Sequence, residues 1–167
     1  MQSFFDHPEY EWRETLFVLF DEKSAPALTA DSLGVLLAGP EPDTLAVERA
    51  KYAADGRLLH ARCISQKTRC AVEVIYRAGQ DVRRQTRAFY ESIREILEPH
   101  EHRQWKRLLT LSACYELVYF ELPEPLPAGE RPTMYDPGSL LFLMEKITQF
   151  LGGTAVDPQS GMILEVD

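Results

Sequence analysis

The sequence has no apolar run that approaches the roughly 20 residues needed to cross a bilayer. Residues 1–6 do not resemble a secretory signal, because they lack a basic start followed by a long apolar stretch. Cysteine is scarce and odd in number: the three residues, Cys63, Cys70 and Cys114, all lie in apolar runs. Such a set is typical of buried free thiols rather than of a disulfide framework. We therefore expect a cytoplasmic protein with no membrane segment.

Common catalytic and cofactor-binding motifs are also missing. There is no Gly-x-Ser-x-Gly, no Walker loop, no Gly-x-Gly-x-x-Gly and no Cys-x-x-Cys. His100 and His102 are two residues apart, which does not match the i, i+4 histidine pair of helical zinc sites. Glu116 and Glu121 are five residues apart in a predicted strand, so they should face opposite sides of it. We therefore predict no metal and no cofactor, and we expect a binding protein rather than an enzyme.

The net charge of −8 argues against a general nucleic-acid-binding protein, because phosphate backbones require a basic surface. The charge is unevenly distributed along the chain. Residues 1–55 hold 4 basic and 11 acidic side chains, and residues 91–167 hold 6 basic and 13 acidic side chains. Residues 56–90 hold 8 basic and 2 acidic side chains. The sequence thus contains a basic segment within an acidic protein.

The arginines of this basic segment are the candidate binding residues. They belong to a predicted hairpin and to the start of the following helix, so we expect them to be neighbours in space. Arginine suits bidentate contacts with carboxylates and phosphates. Two interpretations are open: the arginines pair with the protein's own acids, or they bind an acidic partner protein, a second copy of this chain or an anionic small molecule. The candidates are Arg62, Arg69, Arg77, Arg83, Arg84 and Arg87.

Residues 112–122 give the strongest strand signal in the chain. They include Val118 and three aromatic residues, contain no glycine or proline, and are followed by Pro123. We predict a buried central strand there. Residues 79–97 give the clearest helix signal, because apolar residues recur at three- and four-residue steps, and Pro99 is predicted to end that helix. Residues 44–54 are ambiguous: their composition favours a helix, whereas the Asp-Gly pair that follows them favours a strand, which we prefer.

Two further helix starts are predicted from capping residues. Thr29 should cap a short helix that ends at Leu37, and Asp136, followed by Pro137, should cap the last helix. Gly152 should close that last helix. The helices therefore alternate with the strands along the chain.

This order of elements predicts an α+β fold, with a mostly antiparallel sheet and helices packed on one face. The nearest common pattern is ferredoxin-like, with an added hairpin and a C-terminal extension. Length favours a single domain over residues 1–167, with residues 1–13 as an N-terminal arm. A fold of this kind hosts many functions and does not identify one.

Three functions follow as expectations. The first is a non-enzymatic binding or protein-interaction module that uses the basic segment. The second is a small-molecule-binding domain or enzyme, with a pocket between the sheet and the proline-rich residues 123–135, where Arg83, Arg84 or Arg87 would hold an anionic ligand. The third is a structural protein that self-associates through a sheet edge or the N-terminal arm. We prefer the first.

Overall fold

A computed structural model of the chain describes residues 13–38, 45–65, 70–121 and 137–166. The described strands are β1 (Arg13–Phe20), β2 (Ala46–Tyr52), β3 (Leu58–Ser65), β4 (Cys70–Ala78), β5 (Ala113–Glu121), β6 (Thr154–Val156) and β7 (Ile163–Leu164). The described helices are α1 (Ala30–Leu37), α2 (Gln80–Ile93), α3 (Pro99–Leu108) and α4 (Gly138–Leu151).

Several sequence predictions fall largely or wholly outside the described residues. They concern the N-terminal arm, apart from its last residue, the proline-rich residues 123–135, the Asp136 cap and the candidate binding residue Arg69. The site described below is built from the other candidates.

The described strands form one sheet in the order β2-β3-β4-β5-β1-β6-β7, and each neighbouring pair is antiparallel. This arrangement confirms the predicted α+β class and the mostly antiparallel sheet. The ferredoxin-like pattern is not confirmed. Residues 44–54 contribute strand β2 rather than a helix, because pairing with β3 outweighs the helical propensity of their side chains.

Strand β5 lies fourth of the seven strands, with β4 on one side and β1 on the other. Leu117 and Val118 point to opposite faces of the sheet, and both are at most 2% exposed. The absence of glycine and proline lets β5 pair without interruption over its whole length. The prediction of a buried central strand at this position is confirmed.

The helices lie on both faces of the sheet, which corrects the prediction that they pack on one face. Helices α1 and α4 form a core with one face of the sheet, including Leu16 and Val18 of β1. Helices α2 and α3 form a separate core with the opposite face, including Phe17 and Leu19. The physical reason is that β1 is apolar at consecutive positions, so both of its faces need cover.

Local sequence signals predicted some helix ends correctly and others incorrectly. Thr29 caps α1 as predicted: its Oγ1 accepts from the Ser32 backbone N–H at 3.3 Å, and the Ser32 hydroxyl oxygen accepts from the Thr29 N–H at 2.7 Å. The predicted helix over residues 79–97 ends earlier, at Ile93. Pro99 occupies the first turn of α3, where a missing N–H costs nothing, so it begins a helix as well as ending the preceding segment.

Candidate functional site

Helix α2 presents three arginines on its exposed side, and its opposite side is buried against the sheet. Val82 and Thr86 face the core, which turns Arg83, Arg84 and Arg87 towards solvent. Residues three and four positions apart are neighbours on a helix surface, so Arg87 adjoins both Arg84 and Arg83. We refer to Arg83, Arg84 and Arg87 as the α2 arginine cluster.

The α2 arginine cluster borders an open cavity of about 640 Å³ between the start of α2 and the end of α3, which we call the α2–α3 cavity. Leu109 and Thr110 line the α3 side. The Thr110 hydroxyl donates to the Arg107 carbonyl oxygen at 2.7 Å, so its remaining lone pairs can accept hydrogen bonds. Among the described residues, the cavity is lined by Gln80, Arg83, Arg84, Arg87, Leu109 and Thr110.

The three members of the α2 arginine cluster differ in whether an acid among the described residues pairs with them. The Arg84 guanidinium contacts the Asp81 carboxylate at 2.5 Å on the exposed surface. Among the residues that the structure describes, neither Arg83 nor Arg87 forms an ion pair. Two uncompensated cations therefore lie beside the α2–α3 cavity, in a protein whose net charge is −8.

The start of helix α2 adds to this positive potential. The N-cap is Gly79, whose φ of 89° is accessible to glycine and which has no side chain to satisfy the first-turn N–H groups. Its own N–H donates to the Ser112 carbonyl oxygen at 2.7 Å, which anchors the helix start to the chain just before β5. The partial positive charge of a helix N-terminus thus lies at Gln80, on the cavity wall.

Arg77 and Arg62 were also predicted to bind a partner, but the structure pairs both with acids on the sheet. The Arg77 Nε donates to Glu116 Oε2 at 2.5 Å, and the Glu116 side chain is 12% exposed. Arg62 lies on β3, with its Nε 3.3 Å from a Glu48 oxygen and 3.8 Å from a Glu73 oxygen. These two arginines neutralise carboxylates of the protein and do not line the α2–α3 cavity.

A second polar cluster, which we call the β3–β4 cluster, surrounds Glu73. The Glu73 side chain is only 8% exposed, and it accepts from Arg49 Nη2 at 3.4 Å and contacts His60 Nε2. Three strands supply these groups, because Arg49 is on β2, His60 is on β3 and Glu73 is on β4. A buried carboxylate requires such partners, so the β3–β4 cluster is explained by charge compensation within the sheet.

Sequence reasoning missed a third cluster, formed by Glu22, Arg57 and Tyr76 at one end of the sheet. The Arg57 guanidinium donates to Glu22 and to the Tyr76 hydroxyl oxygen, and the Tyr76 hydroxyl donates to Glu22. Burial, followed by the contact with Glu22, raises the Tyr76 pKa to about 12. No local pattern could have shown this cluster, because its members come from the β1–α1 connection, the residue before β3 and the end of β4.

The structure places the two histidines of the predicted pair in different surroundings. His100 is exposed, whereas His102 is half-buried, with its Nδ1 3.1 Å from the Tyr90 hydroxyl oxygen. Across the described ranges, no three His, Cys, Asp or Glu side chains are grouped so that they could hold a metal ion. His102 instead contacts Tyr90 in an edge-on arrangement and links α3 to α2.

Comparison of the chain with models of protein families, with curated proteins and with solved structures found no match. In the described part of the chain, no helix combines the length and the apolar character that a membrane span requires. The geometry and charge of the α2–α3 cavity are therefore the basis for a functional proposal.

Proposed function

We propose that this protein is a binding module whose α2 arginine cluster binds an anionic ligand or the acidic surface of a partner. The observation that carries the proposal is the pair of guanidinium groups, Arg83 and Arg87, which form no ion pair with any described residue and lie beside a cavity of about 640 Å³. Arginine presents five donors in a planar fork that matches the oxygens of carboxylates and phosphates.

The contrast with the neighbouring arginines supports this proposal. Arg62 and Arg77 each lie within ion-pair distance of a carboxylate whose side chain is 12% exposed or less. Arg83 and Arg87, by contrast, are four residues apart on one exposed helix face, where like charges destabilise a helix by about 0.2–0.5 kcal/mol per pair. An arrangement that costs stability, and in which neither arginine has an ion-pair partner among the described residues, supports a role in binding.

The chemistry of the cavity wall favours binding over catalysis. Its described lining consists of glutamine, arginine, leucine and threonine side chains. None of these is a carboxylate, an imidazole or a thiol, which are the usual general acids, bases and nucleophiles. A ligand in the α2–α3 cavity would therefore be held by charge and hydrogen bonds, without a proton-transfer partner on the wall.

The experiment that tests the proposal measures binding of a fluorescent poly-glutamate peptide by anisotropy. We expect the double variant Arg83→Gln/Arg87→Gln to bind at least about tenfold more weakly than the unchanged protein, because each charged hydrogen bond contributes appreciably to affinity. Affinity should also fall as sodium chloride is raised, because exposed charges are screened.

The matched control is the double variant Arg94→Gln/Arg103→Gln. It removes the same number of positive charges from exposed positions outside the cavity wall. We expect this control to bind within about twofold of the unchanged protein, because its positions lie outside the site. Equal losses in both double variants would show that total charge, not the α2 arginine cluster, determines binding, and would contradict the proposal, as would no binding of any anion.

A further inference from the structure

The charge and shape of the same cavity point to a more specific ligand. We propose that the α2–α3 cavity takes the doubly charged phosphate group of a small phosphate monoester. This inference rests on the proposed function, because it assumes that the α2 arginine cluster binds anions, and it adds the chemical class of the ligand.

The first argument is charge matching. The first two turns of α2 carry three arginines and one aspartate, Asp81, so their local charge is +2. A phosphate monoester carries about −1.5 to −2 near pH 7, whereas a single carboxylate carries −1. A dianion therefore neutralises this surface more completely than a lone carboxylate does.

The second argument is the arrangement of donors. The Asp81 carboxylate contacts Arg84 through one terminal nitrogen, Nη2, so the other N–H groups of that side chain remain available to a ligand. Arg87 adjoins both Arg83 and Arg84 on the helix surface, at four and three residues' distance. Guanidinium groups and a helix N-terminus are the donors that characteristically surround the three acceptor oxygens of a phosphate.

The volume of the cavity and its uncharged lining residues indicate what the rest of the ligand is like. The cavity volume of about 640 Å³ falls within the range of small-molecule sites, which is roughly 300–1,000 Å³. Leu109 offers a short apolar contact, and Thr110 offers a hydroxyl oxygen that can accept a hydrogen bond. No aromatic side chain is among the described lining residues, so the wall provides no ring on which a nucleobase could stack. A hydroxylated aliphatic skeleton, such as that of a sugar phosphate, fits these features.

Isothermal titration calorimetry with glucose 6-phosphate and glucuronate tests the inference, because the two probes differ mainly in their anionic group. We expect glucose 6-phosphate to bind about tenfold more tightly than glucuronate near pH 7.5, on account of its second charge and additional acceptor oxygen. Affinity for glucose 6-phosphate should fall about fourfold near pH 5.5, because the second phosphate pKa is about 6 and the dianion becomes the minor form.

The pH comparison isolates the ligand. No carboxyl, imidazole or thiol group is among the described residues of the cavity wall, so the change between the two pH values reports mainly on the ligand. Affinity for glucuronate should change by less than about twofold, because its carboxyl group is ionised at both pH values. Asp81 carries a negative charge on the same helix and contacts Arg84. The Asp81→Asn variant should therefore bind glucose 6-phosphate more tightly, because it removes a negative charge close to the bound anion.

The same two double variants locate the binding site. Arg83→Gln/Arg87→Gln should weaken glucose 6-phosphate binding about tenfold or more, whereas Arg94→Gln/Arg103→Gln should leave it within about twofold. If glucuronate binds as tightly as glucose 6-phosphate, the phosphate assignment is overturned. It is likewise overturned if poly-glutamate binds through the α2 arginine cluster and glucose 6-phosphate does not, but the proposed function then survives.

A phosphoserine peptide serves as a final comparison. Binding of this peptide about tenfold or more tighter than glucose 6-phosphate would overturn the small-molecule assignment and indicate a phosphorylated protein as the source of the phosphate. Comparable or weaker binding of the peptide supports a small phosphate monoester. If none of these anions binds, both the inference and the proposed function fail.

Discussion

Side chains that are distant in sequence meet in pairs and clusters throughout this protein. Glu22 and Tyr76 are separated by 54 residues, yet the tyrosine hydroxyl donates to the carboxylate. The stacked rings of Phe20 and Tyr115, whose centroids are 5.7 Å apart, place aromatic surface against this polar cluster. The contacts among the Glu22 carboxylate, the Arg57 guanidinium and the Tyr76 hydroxyl therefore join three separate segments of the chain.

The prediction that the three cysteines are buried free thiols is confirmed. Cys63, Cys70 and Cys114 are all buried and free. Burial raises the pKa of the Cys63 and Cys114 thiols to about 12, so both stay protonated near neutral pH. A neutral buried thiol is a poor nucleophile and packs as a small apolar side chain.

Glu22 predicts how stability depends on acid. The hydrogen bond from Tyr76 and the contacts with Arg57 hold the Glu22 pKa below its ordinary value of 4.5. A carboxyl group with a depressed pKa in the folded state stabilises the fold fully above its unfolded pKa, and this contribution is lost as pH falls through the folded value. We expect the urea midpoint to decline below about pH 4.5, and Glu22→Gln to remove part of that decline.

The size of this effect should be modest, because the Glu22 side chain is 36% exposed and solvent weakens its contacts. Urea unfolding at about pH 6 and about pH 3 measures it. Glu95→Gln, which removes an exposed carboxylate elsewhere, is the control and should leave the pH dependence unchanged. An identical acid decline in Glu22→Gln and in the unchanged protein would rule out this role for Glu22.

At the scale of elements, strand β5 is the central unit of the sheet. It pairs with β4 along its entire length and with β1 from Ala113 to Phe120, and it is buried on both faces. Strand β2, by contrast, lies at the sheet edge, and six of its residues are exposed. Its pairing with β3 also contains irregularities. Charged residues and bulges of this kind protect an edge strand from pairing with other chains.

Leu117 of β5 provides the test of the central-strand argument. The side chain is fully buried in the larger core, so Leu117→Ala should create a cavity and lower the free energy of unfolding by about 2–5 kcal/mol. The same truncation at Leu141, which lies on α4 and is 43% exposed, should cost much less. Urea denaturation measures both variants, and comparable losses would show that β5 is not the centre of the core.

At the scale of the molecule, the two larger apolar cores of the described residues lie on opposite faces of the sheet. The core with α1 and α4 is the larger, and the core with α2 and α3 includes the fully buried Trp105. The outer side of α2 carries the α2 arginine cluster, so one helix contributes both to a core and to the candidate site. Its position on the sheet fixes which side chains reach the α2–α3 cavity.

This architecture predicts a gradient of hydrogen-exchange protection. Amide groups in the central strands β4, β5 and β1 should exchange most slowly, because release of their hydrogen bonds requires opening of both cores. Amide groups in β2 and β7, the outermost strands of the described sheet, should exchange much faster. Hydrogen–deuterium exchange followed by mass spectrometry or NMR measures this gradient, and equal protection in β2 and β5 would contradict it.

More of the fold than of the candidate site could be predicted from the sequence. Strong local patterns located β5, α2 and the Thr29 cap to within a few residues, because apolar periodicity and capping chemistry act over short distances. The second helical layer was missed, because a local pattern does not specify which face of the sheet a helix covers. The candidate arginines could be named from sequence, but whether each one meets an acid of the same chain depends on distant residues.

The amino-acid sequence by itself determined that this protein has an α+β fold with a central strand around Leu117, because side-chain spacing sets which surfaces must be buried. The tertiary structure alone decided which arginines are compensated. It brings Glu116 to Arg77 across 39 residues of chain, while Arg83 and Arg87 remain beside the α2–α3 cavity. Electrostatic pairing depends on distance in space, and that distance exists only once the sheet and helices have come together.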